Sequence, residues 1–200
     1  MISAPSGTGK STLTSRLVRS MDSIIFSTSF TTRAPRAGEV DGRDYFFVDD
    51  DKFEAMVRAN EFVEWVEVYK KRYGTGRAWL DSVLDTGMDV ILDIETTGAL
   101  NLRRAIPDAV MVFIMPPSVA ELEKRIRGRG KDAEEQILMR MKYALHEMKL
   151  CHAYDFIIVN QELDLAYRQL ESIIWATRVR RERMIPQATT ILQGFQGLDG

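Results

Sequence analysis

Short apolar runs alternate along the chain with segments whose apolar residues recur at helical spacing, and that alternation predicts a parallel sheet flanked by helices. Strands are expected at Ile24–Ser27, Val90–Ile94, Met111–Met115 and Phe156–Val159. Each is rich in Ile, Val and Phe and apolar at consecutive positions, as a sheet covered on both faces requires. Ser118-Val-Ala-Glu121 reads as a capping box that opens a helix just after Pro116-Pro117. Asp132-Ala-Glu-Glu135 opens another, with Ile137, Leu138, Met141, Leu145, Met148 and Leu150 at roughly helical spacing. This Met-rich stripe reads as core filler. A third helix is expected from Leu163 to about Arg183, ending before Pro186.

Residues 36–76 break that rhythm. Tyr45–Val48 and Phe62–Val68 look like half-exposed strands, with an Asp-capped helix near Asp50–Ala59 between them, so the segment reads as an inserted small β-rich subdomain. The Asp49-Asp50-Asp51 triplet reads as a helix N-cap with its dipole partners rather than a cation site. From Gln187 to Gly200 the pattern has few apolar residues in any period, and a mobile tail is expected.

Composition narrows the class. With 200 residues and 45% hydrophobic content the chain can bury one sizeable core. The balance of 27 basic and 29 acidic residues, a net charge of −2, gives no general reason to bind nucleic acid or an anionic membrane. A single cysteine, Cys151, has no internal disulfide partner and is expected to be a buried or half-buried thiol. No basic, apolar leader pattern opens the chain, and no apolar run approaches the ~18 residues of a spanning helix. A soluble cytoplasmic protein is expected. Only Met1-Ile2-Ser3 precede Ala4, about half a usual strand, so a natural start a few apolar residues earlier is also expected.

The most informative run is Ala4-Pro5-Ser6-Gly7-Thr8-Gly9-Lys10-Ser11-Thr12, a P-loop pattern with Ala4 in the first glycine position. Its glycines let successive backbone N–H groups surround phosphate oxygens, Lys10 can reach the β- and γ-phosphates, and the Ser11 hydroxyl can ligate Mg²⁺. An acid at the end of an apolar strand is by itself a common helix-entry residue. Beside a P-loop, Asp93 in Val90-Ile-Leu-Asp93-Ile-Glu95 is placed to orient Mg²⁺ or its water shell.

Two arginine blocks go beyond what a bare ATPase needs. Ser29-Phe-Thr-Thr32-Arg33-Ala-Pro-Arg36-Ala-Gly-Glu39, followed by Asp41-Gly42 and Tyr45, makes an anion clamp whose planar forks suit a phosphate monoester. Arg125-Ile-Arg127-Gly-Arg129-Gly130, with Arg140 one helix further on, reads as a mobile lid that neutralises charge on a transferring phosphoryl group.

In order and spacing, Ala4–Thr12, Thr31–Glu39 with Asp41-Gly42 and Tyr45, Glu61-Phe-Val-Glu64, Tyr73-Gly-Thr75, Leu92-Asp-Ile-Glu95, Pro116-Pro-Ser118 and Gly128-Arg-Gly130 resemble the guanylate kinase family, over about Met1 to Arg183. The resemblance implies an α/β, three-layer P-loop kinase core (1–28 and 87–183) with a central parallel sheet, a GMP-binding subdomain at about 29–86, an arginine-rich lid at about 125–140 and a tail at 184–200. It implies Mg²⁺-dependent transfer of the ATP γ-phosphoryl group to GMP or dGMP in purine nucleotide metabolism. Lys10, Arg33, Arg125, Arg129 and Arg140 would be catalytic, and Asn160 would contact ATP on the adenine side. Ser29, Arg33, Arg36, Tyr45 and Tyr73 would hold the GMP phosphate, with Glu39 in the same set. Glu64 and Thr75 would read the guanine edge, with Asp93 and Glu95 close beside. Guanine presents two adjacent donors, N1–H and the 2-amino group, which one carboxylate can accept together, and adenine offers no such pair. Thr97 and Gln161 stand where the family commonly has Gln and Asp. Two other readings are a non-catalytic phosphopeptide-binding module of the same fold and a sugar-phosphate kinase of related fold. The intact Lys10, Ser11, Arg33, Arg36, Arg129 and Arg140 set argues against the first, and Glu64 with Tyr73-Gly-Thr75 against the second.

Overall fold

Val112 and Ile114 pack into one apolar cluster while their neighbours Met111 and Phe113 pack into another. Side chains alternate across a strand, so this segment is buried on both faces and needs a helical layer on each side. The computed structural model describes residues 1–68, 70–128 and 133–195. Along them run β1 (Ile2–Ser3), α1 (Lys10–Ser20), β2 (Ile24–Phe26), β3 (Phe30–Thr31), β4 (Phe46–Phe47), α2 (Asp50–Arg58), β5 (Phe62–Val68), β6 (Lys71–Gly76) and α3 (Arg77–Leu84). There follow β7 (Asp89–Ile91), α4 (Thr96–Ala105), β8 (Val112–Met115), α5 (Val119–Arg127), α6 (Glu134–Lys149), a 3-10 turn at Leu150–Ala153, β9 (Phe156–Val159), α7 (Leu163–Arg178) and α8 (Arg181–Gln193).

Two parallel ladders, β1-β8-β9 and β2-β7, are joined where the Ile2 N–H donates to the Leu92 carbonyl at 2.9 Å, giving the order β2-β7-β1-β8-β9. Leu13 and Leu17 of α1 with Ala166, Tyr167 and Leu170 of α7 cover one face, and Ala99 and Leu102 of α4 with Cys151 and Tyr154 cover the other. A second, mixed sheet has the order β4-β3-β6-β5, with β3–β4 parallel and the other pairs antiparallel. It shares a small core with α2 through Phe53, Met56 and Phe62. Asp49 Oδ1 accepts from the Lys52 N–H at 2.7 Å and Ser118 Oγ from the Glu121 N–H at 3.1 Å, while the Glu121 carboxylate pairs with Arg125 at 2.8 Å instead of closing the box; Asp132, expected to open α6, lies outside the described residues.

Four expectations need correction. Strand β9 is not covered on both faces; Phe156, Ile157 and Val159 are exposed because it is the edge of the sheet. Strand β7 stops at Ile91 rather than Ile94, and Asp93 keeps only a single bridge, to Ile2. Along α6, Ile137 and Ala144 are buried, but Leu138 and Leu145 are more than half exposed, because the buried stripe passes through 137, 141, 144 and 148. Pro186 does not end the C-terminal helical region. The break falls at Arg180, whose ψ of 142 is extended, and α8 then runs through Pro186 to Gln193. A proline inside a helix forfeits a single N–H donor, which an exposed surface helix can lose. The stretch read as lacking periodic structure is therefore helical up to Gln193.

Candidate active site

The phosphate loop bridges the C-terminal end of β1 and α1, outside the carboxyl ends of the parallel strands, where ligands of open α/β sheets bind. Gly7 (φ 96°) and Gly9 (φ 93°) adopt the left-handed conformation. A Cβ on Gly9 would lie 2.5 Å from Asn160 Nδ2. Ala4, by contrast, is not among the described residues of positive φ, and its methyl packs in the core. Helix α1 begins at Gly9 without a side-chain cap and without an acid in its first turn. Its opening N–H groups and dipole therefore favour an anion. The loop is braced from within, as Thr8 Oγ1 donates to the Pro5 carbonyl at 2.9 Å.

Distant side chains finish this wall. Asn160, buried at the end of β9, donates its amide to the Thr8 carbonyl at 2.6 Å. Arg125 reaches the Thr8 and Asn160 carbonyls at 3.5 and 3.4 Å, and Arg140 donates to Ser6 Oγ at 2.7 Å. The Lys10 ammonium pairs with Asp93. Ser11 and Thr12 are exposed on the first turn of α1.

Across from Lys10 and Asp93, a cleft of about 540 Å³ is lined by Ser29, Tyr45, Glu64, Tyr73, Glu95 and Gly98, among others. Glu64 and Thr75 are register partners on β5 and β6, and Thr75 Oγ1 donates to Glu64 Oε1 at 2.9 Å. The second oxygen, Glu64 Oε2, is buried without a partner. Burial pushes this carboxyl up to about 7, against the Thr75 hydrogen bond. At Gly98 a Cβ would come within 3.4 Å of Glu64 Oε2, so the bare backbone of α4 walls the carboxylate closely.

Arg33 meets Glu39 as a two-pronged pair at 2.8 and 2.9 Å, and Glu39 also accepts the Arg36 N–H at 2.7 Å. Each partner favours the other's charge: the Glu39 hydrogen bond raises the guanidinium and the Arg33 hydrogen bond lowers the carboxyl. The Arg33 guanidinium lies 5.2 Å from the Tyr45 ring centre. Tyr45 and Tyr73 meet edge to face at 6.1 Å.

A larger apolar cavity, about 690 Å³, lies near Met1, Leu80, Ile91 and Ile174 at the opposite ends of the strands, and no phosphate-loop side chain lines it. The cleft therefore holds the chemistry: a carboxylate with an unsatisfied oxygen facing a phosphate cradle. A family model described as guanylate kinase matches residues 1–177. The chain belongs to the guanylate kinase family. Members of this family are ATP:GMP phosphotransferases. The chain is 46% identical to the guanylate kinase of Bradyrhizobium diazoefficiens over 98% of its own length and 90% of that protein. It is 44% identical to the guanylate kinase of Halalkalibacterium halodurans over 92% of its length and 91% of that one. A crystal structure of guanylate kinase from Anaplasma phagocytophilum superposes with a TM-score of 0.72 at 33% identity, covering 91% of this chain and 86% of that one.

Among the residues that the family resemblance singles out, the fold gathers Lys10, Ser29, Tyr45, Glu64, Tyr73, Asp93 and Glu95 along one cleft, with Thr75 behind Glu64. Arg36 has an exposed side chain, and Arg129 lies outside the described residues. Cleft residues that escaped the sequence reading include Ser27, whose buried hydroxyl lacks a partner, the charged pair Arg43 and Asp44, and Gly98. Gly98 follows Glu95 by three positions in a helix opening, the one local signal that could have flagged it.

Proposed function

We propose that this protein transfers the γ-phosphoryl group of Mg²⁺-bound ATP to GMP, giving ADP and GDP, with the phosphate-loop wall holding ATP and the Glu64 wall holding GMP. The observation that carries the proposal is the unpaired Glu64 Oε2, buried in the same cleft as Lys10. An unsatisfied buried acceptor is costly, and guanine N1–H with the 2-amino group would fill it with two donors. Adenine would leave it unfilled.

The backbone N–H groups of Gly7–Ser11 and the α1 dipole would cradle the triphosphate, and Lys10 would exchange Asp93 for the β- and γ-phosphates. The donor set fits Mg²⁺. No cluster of three metal-ligating side chains occurs among the described residues, and Mg²⁺ in kinases takes one or two protein oxygens, phosphates and water. Ser11 Oγ would be a direct ligand and Asp93 would act through water, and the ion's chemistry there is charge neutralisation across the phosphates. Ser29, Arg33, Tyr45 and Tyr73 would hold the GMP phosphate, with Glu39 presenting the Arg33 fork and Arg36 joining from the loop. A GMP phosphate oxygen would attack the γ-phosphorus as the bond to the β-bridging oxygen breaks, with ADP leaving and no covalent protein intermediate. Arg125 and Arg140, already on the loop, would offset the charge that gathers between two polyanions, and Arg129 would join them.

The proposed division into a core, a GMP-binding part at about 29–86 and a lid at about 125–140 rests on the separate second sheet and on the arginines of α5 and α6. The proposed setting is the cytoplasm. Among the described residues no helix is long and apolar enough to cross a membrane. A coupled assay of ADP release with ATP and Mg²⁺, comparing GMP, dGMP, AMP, CMP and UMP, tests the reading. Turnover confined to guanine nucleotides is expected, and equal turnover of AMP would remove Glu64 from the role given to it.

A further inference from the structure

Glu147, in the last turn of α6, is almost wholly buried although it is a carboxylate. Its Oε1 accepts from the Thr96 hydroxyl at 3.0 Å, and Thr96 is itself buried. Thr96 is the first residue of α4 and follows Glu95, which lines the cleft. On the other side of Glu95, the Ile94 carbonyl accepts from Ser3 Oγ at 2.9 Å. Glu95 is thus strung between two tethers, a part-buried one to the strand that enters the phosphate loop and a buried one to α6.

The same face of α6 makes two more contacts. Arg140, Tyr143 and Glu147 are spaced three and four apart, as neighbours on one helix face are. Arg140 donates to Ser6 Oγ at 2.7 Å, and Tyr143 Oη donates to Glu95 Oε2 at 3.4 Å. Gly98, two residues beyond Thr96 in the same turn, stands against Glu64 Oε2. Moving the first turn of α4 would move both Glu95 and the wall behind Glu64.

From this arrangement we infer that Glu147 is a positioning residue for the GMP wall: its hydrogen bond to Thr96 holds the Glu95–Gly98 turn in place against α6. The inference rests on the GMP reading of the cleft. Burial pushes the Glu147 carboxyl up to about 7, with the nearby Glu95 charge acting in the same direction and Thr96 and Lys10 opposing. A carboxyl held near neutral can stay buried here at low cost while still accepting the Thr96 hydroxyl.

Steady-state kinetics on the full chain test it with Thr96→Val, Glu147→Met, their double variant and Glu147→Gln. Thr96→Val and Glu147→Met are each expected to raise KM for GMP about tenfold while KM for ATP stays within about twofold, since Thr8, Asn160 and Arg125 brace the phosphate loop without touching the Thr96–Glu147 contact. The double variant should match the single ones, because both remove the same contact. Glu147→Gln keeps an acceptor and should restore KM for GMP to within about twofold of the parent. A general loosening would instead raise both KM values together, and that result overturns the inference, as does an unchanged KM for GMP in a cooperatively melting Thr96→Val protein. A parent chain that phosphorylates no GMP overturns this inference and the functional reading together; an active parent matched by Thr96→Val overturns this one alone.

Discussion

The two walls of the cleft are assembled differently. The phosphate-loop wall is centred on one uninterrupted run, Ala4–Thr12, whose shape follows from its own glycines and from a helix that starts inside it, with Asn160, Arg125 and Arg140 bracing it from outside. The proposed GMP wall comes from Ser29, Tyr45, Glu64, Tyr73 and the Glu95–Gly98 turn, which meet only where the second sheet packs against α4. The first wall can be recognised and perturbed locally. The second depends on pairings such as Glu64 with Thr75 and Glu147 with Thr96, each of which spans separate elements. On the proposed reading one wall would bind a group common to all nucleotides and the other would distinguish bases, which makes general binding largely local and selectivity tertiary.

If the walls are separable in this way, Lys10→Met should produce the largest effect and leave the other wall alone. Turnover should fall by roughly 10³-fold or more, from loss of charge at the transferring phosphoryl group, while GMP affinity by calorimetry stays within about twofold. A comparable loss of GMP affinity would mean that the walls are one unit. Next in size, Glu64→Gln should cut the preference for GMP over AMP by roughly 10²-fold in kcat/KM, because one of the two guanine donors would face an amide N–H. An unchanged ratio would place base recognition elsewhere.

The pH dependence is smaller and belongs to the GMP wall. Glu64 sits at about 7, above its ordinary 4.5, so between those values the folded chain holds a proton that the unfolded chain has released. Its contribution to stability is present at low pH and is lost as pH rises through about 7. Guanine needs the carboxylate, so kcat/KM for GMP should climb with pH by up to about tenfold per unit below 7 and then level. Comparison with Glu64→Gln isolates this limb from ionisation of the GMP phosphate and of Glu147, and a climb that persists undiminished in that variant assigns it to those groups. The smallest effect should come from Gly98→Ala. It should stabilise α4 by up to about 1 kcal/mol, read as a higher melting temperature, while KM for GMP rises a few fold from a methyl pressed against Glu64 Oε2. Higher stability with unchanged KM would show that the wall has room to spare.

Much of the fold was legible. The parallel strands, the Asp49 and Ser118 caps and the full extent of β5 follow from patterns within a few residues, and the structure reproduces them. Legibility failed where burial is decided by a remote neighbour. Phe156, Ile157 and Val159 have the composition of a central strand but lie at the sheet's edge. Leu138 and Leu145 look like core residues but lie off the stripe that meets α5. Pro186 looks like a helix stop but sits in a helix exposed along its described length. Beside the cleft, Glu147 offers only a weak local signal, a carboxylate next to the apolar positions of α6, because its partner Thr96 lies on a different helix.

By itself the sequence determined the phosphate loop, the helix periods with the Asp49 and Ser118 caps, and the parallel strands in outline, and it supplied the residue types proposed to grip phosphate and guanine. These depend on backbone sterics and on side chains reaching one helical turn at most. Only the tertiary structure decided that Lys10 rests on Asp93, that Arg33 is already paired with Glu39, that Asn160 braces the phosphate loop, and that one oxygen of Glu64 is buried without a partner. Those facts concern desolvation and distance between elements far apart in the chain, and both quantities come into being only when the elements pack.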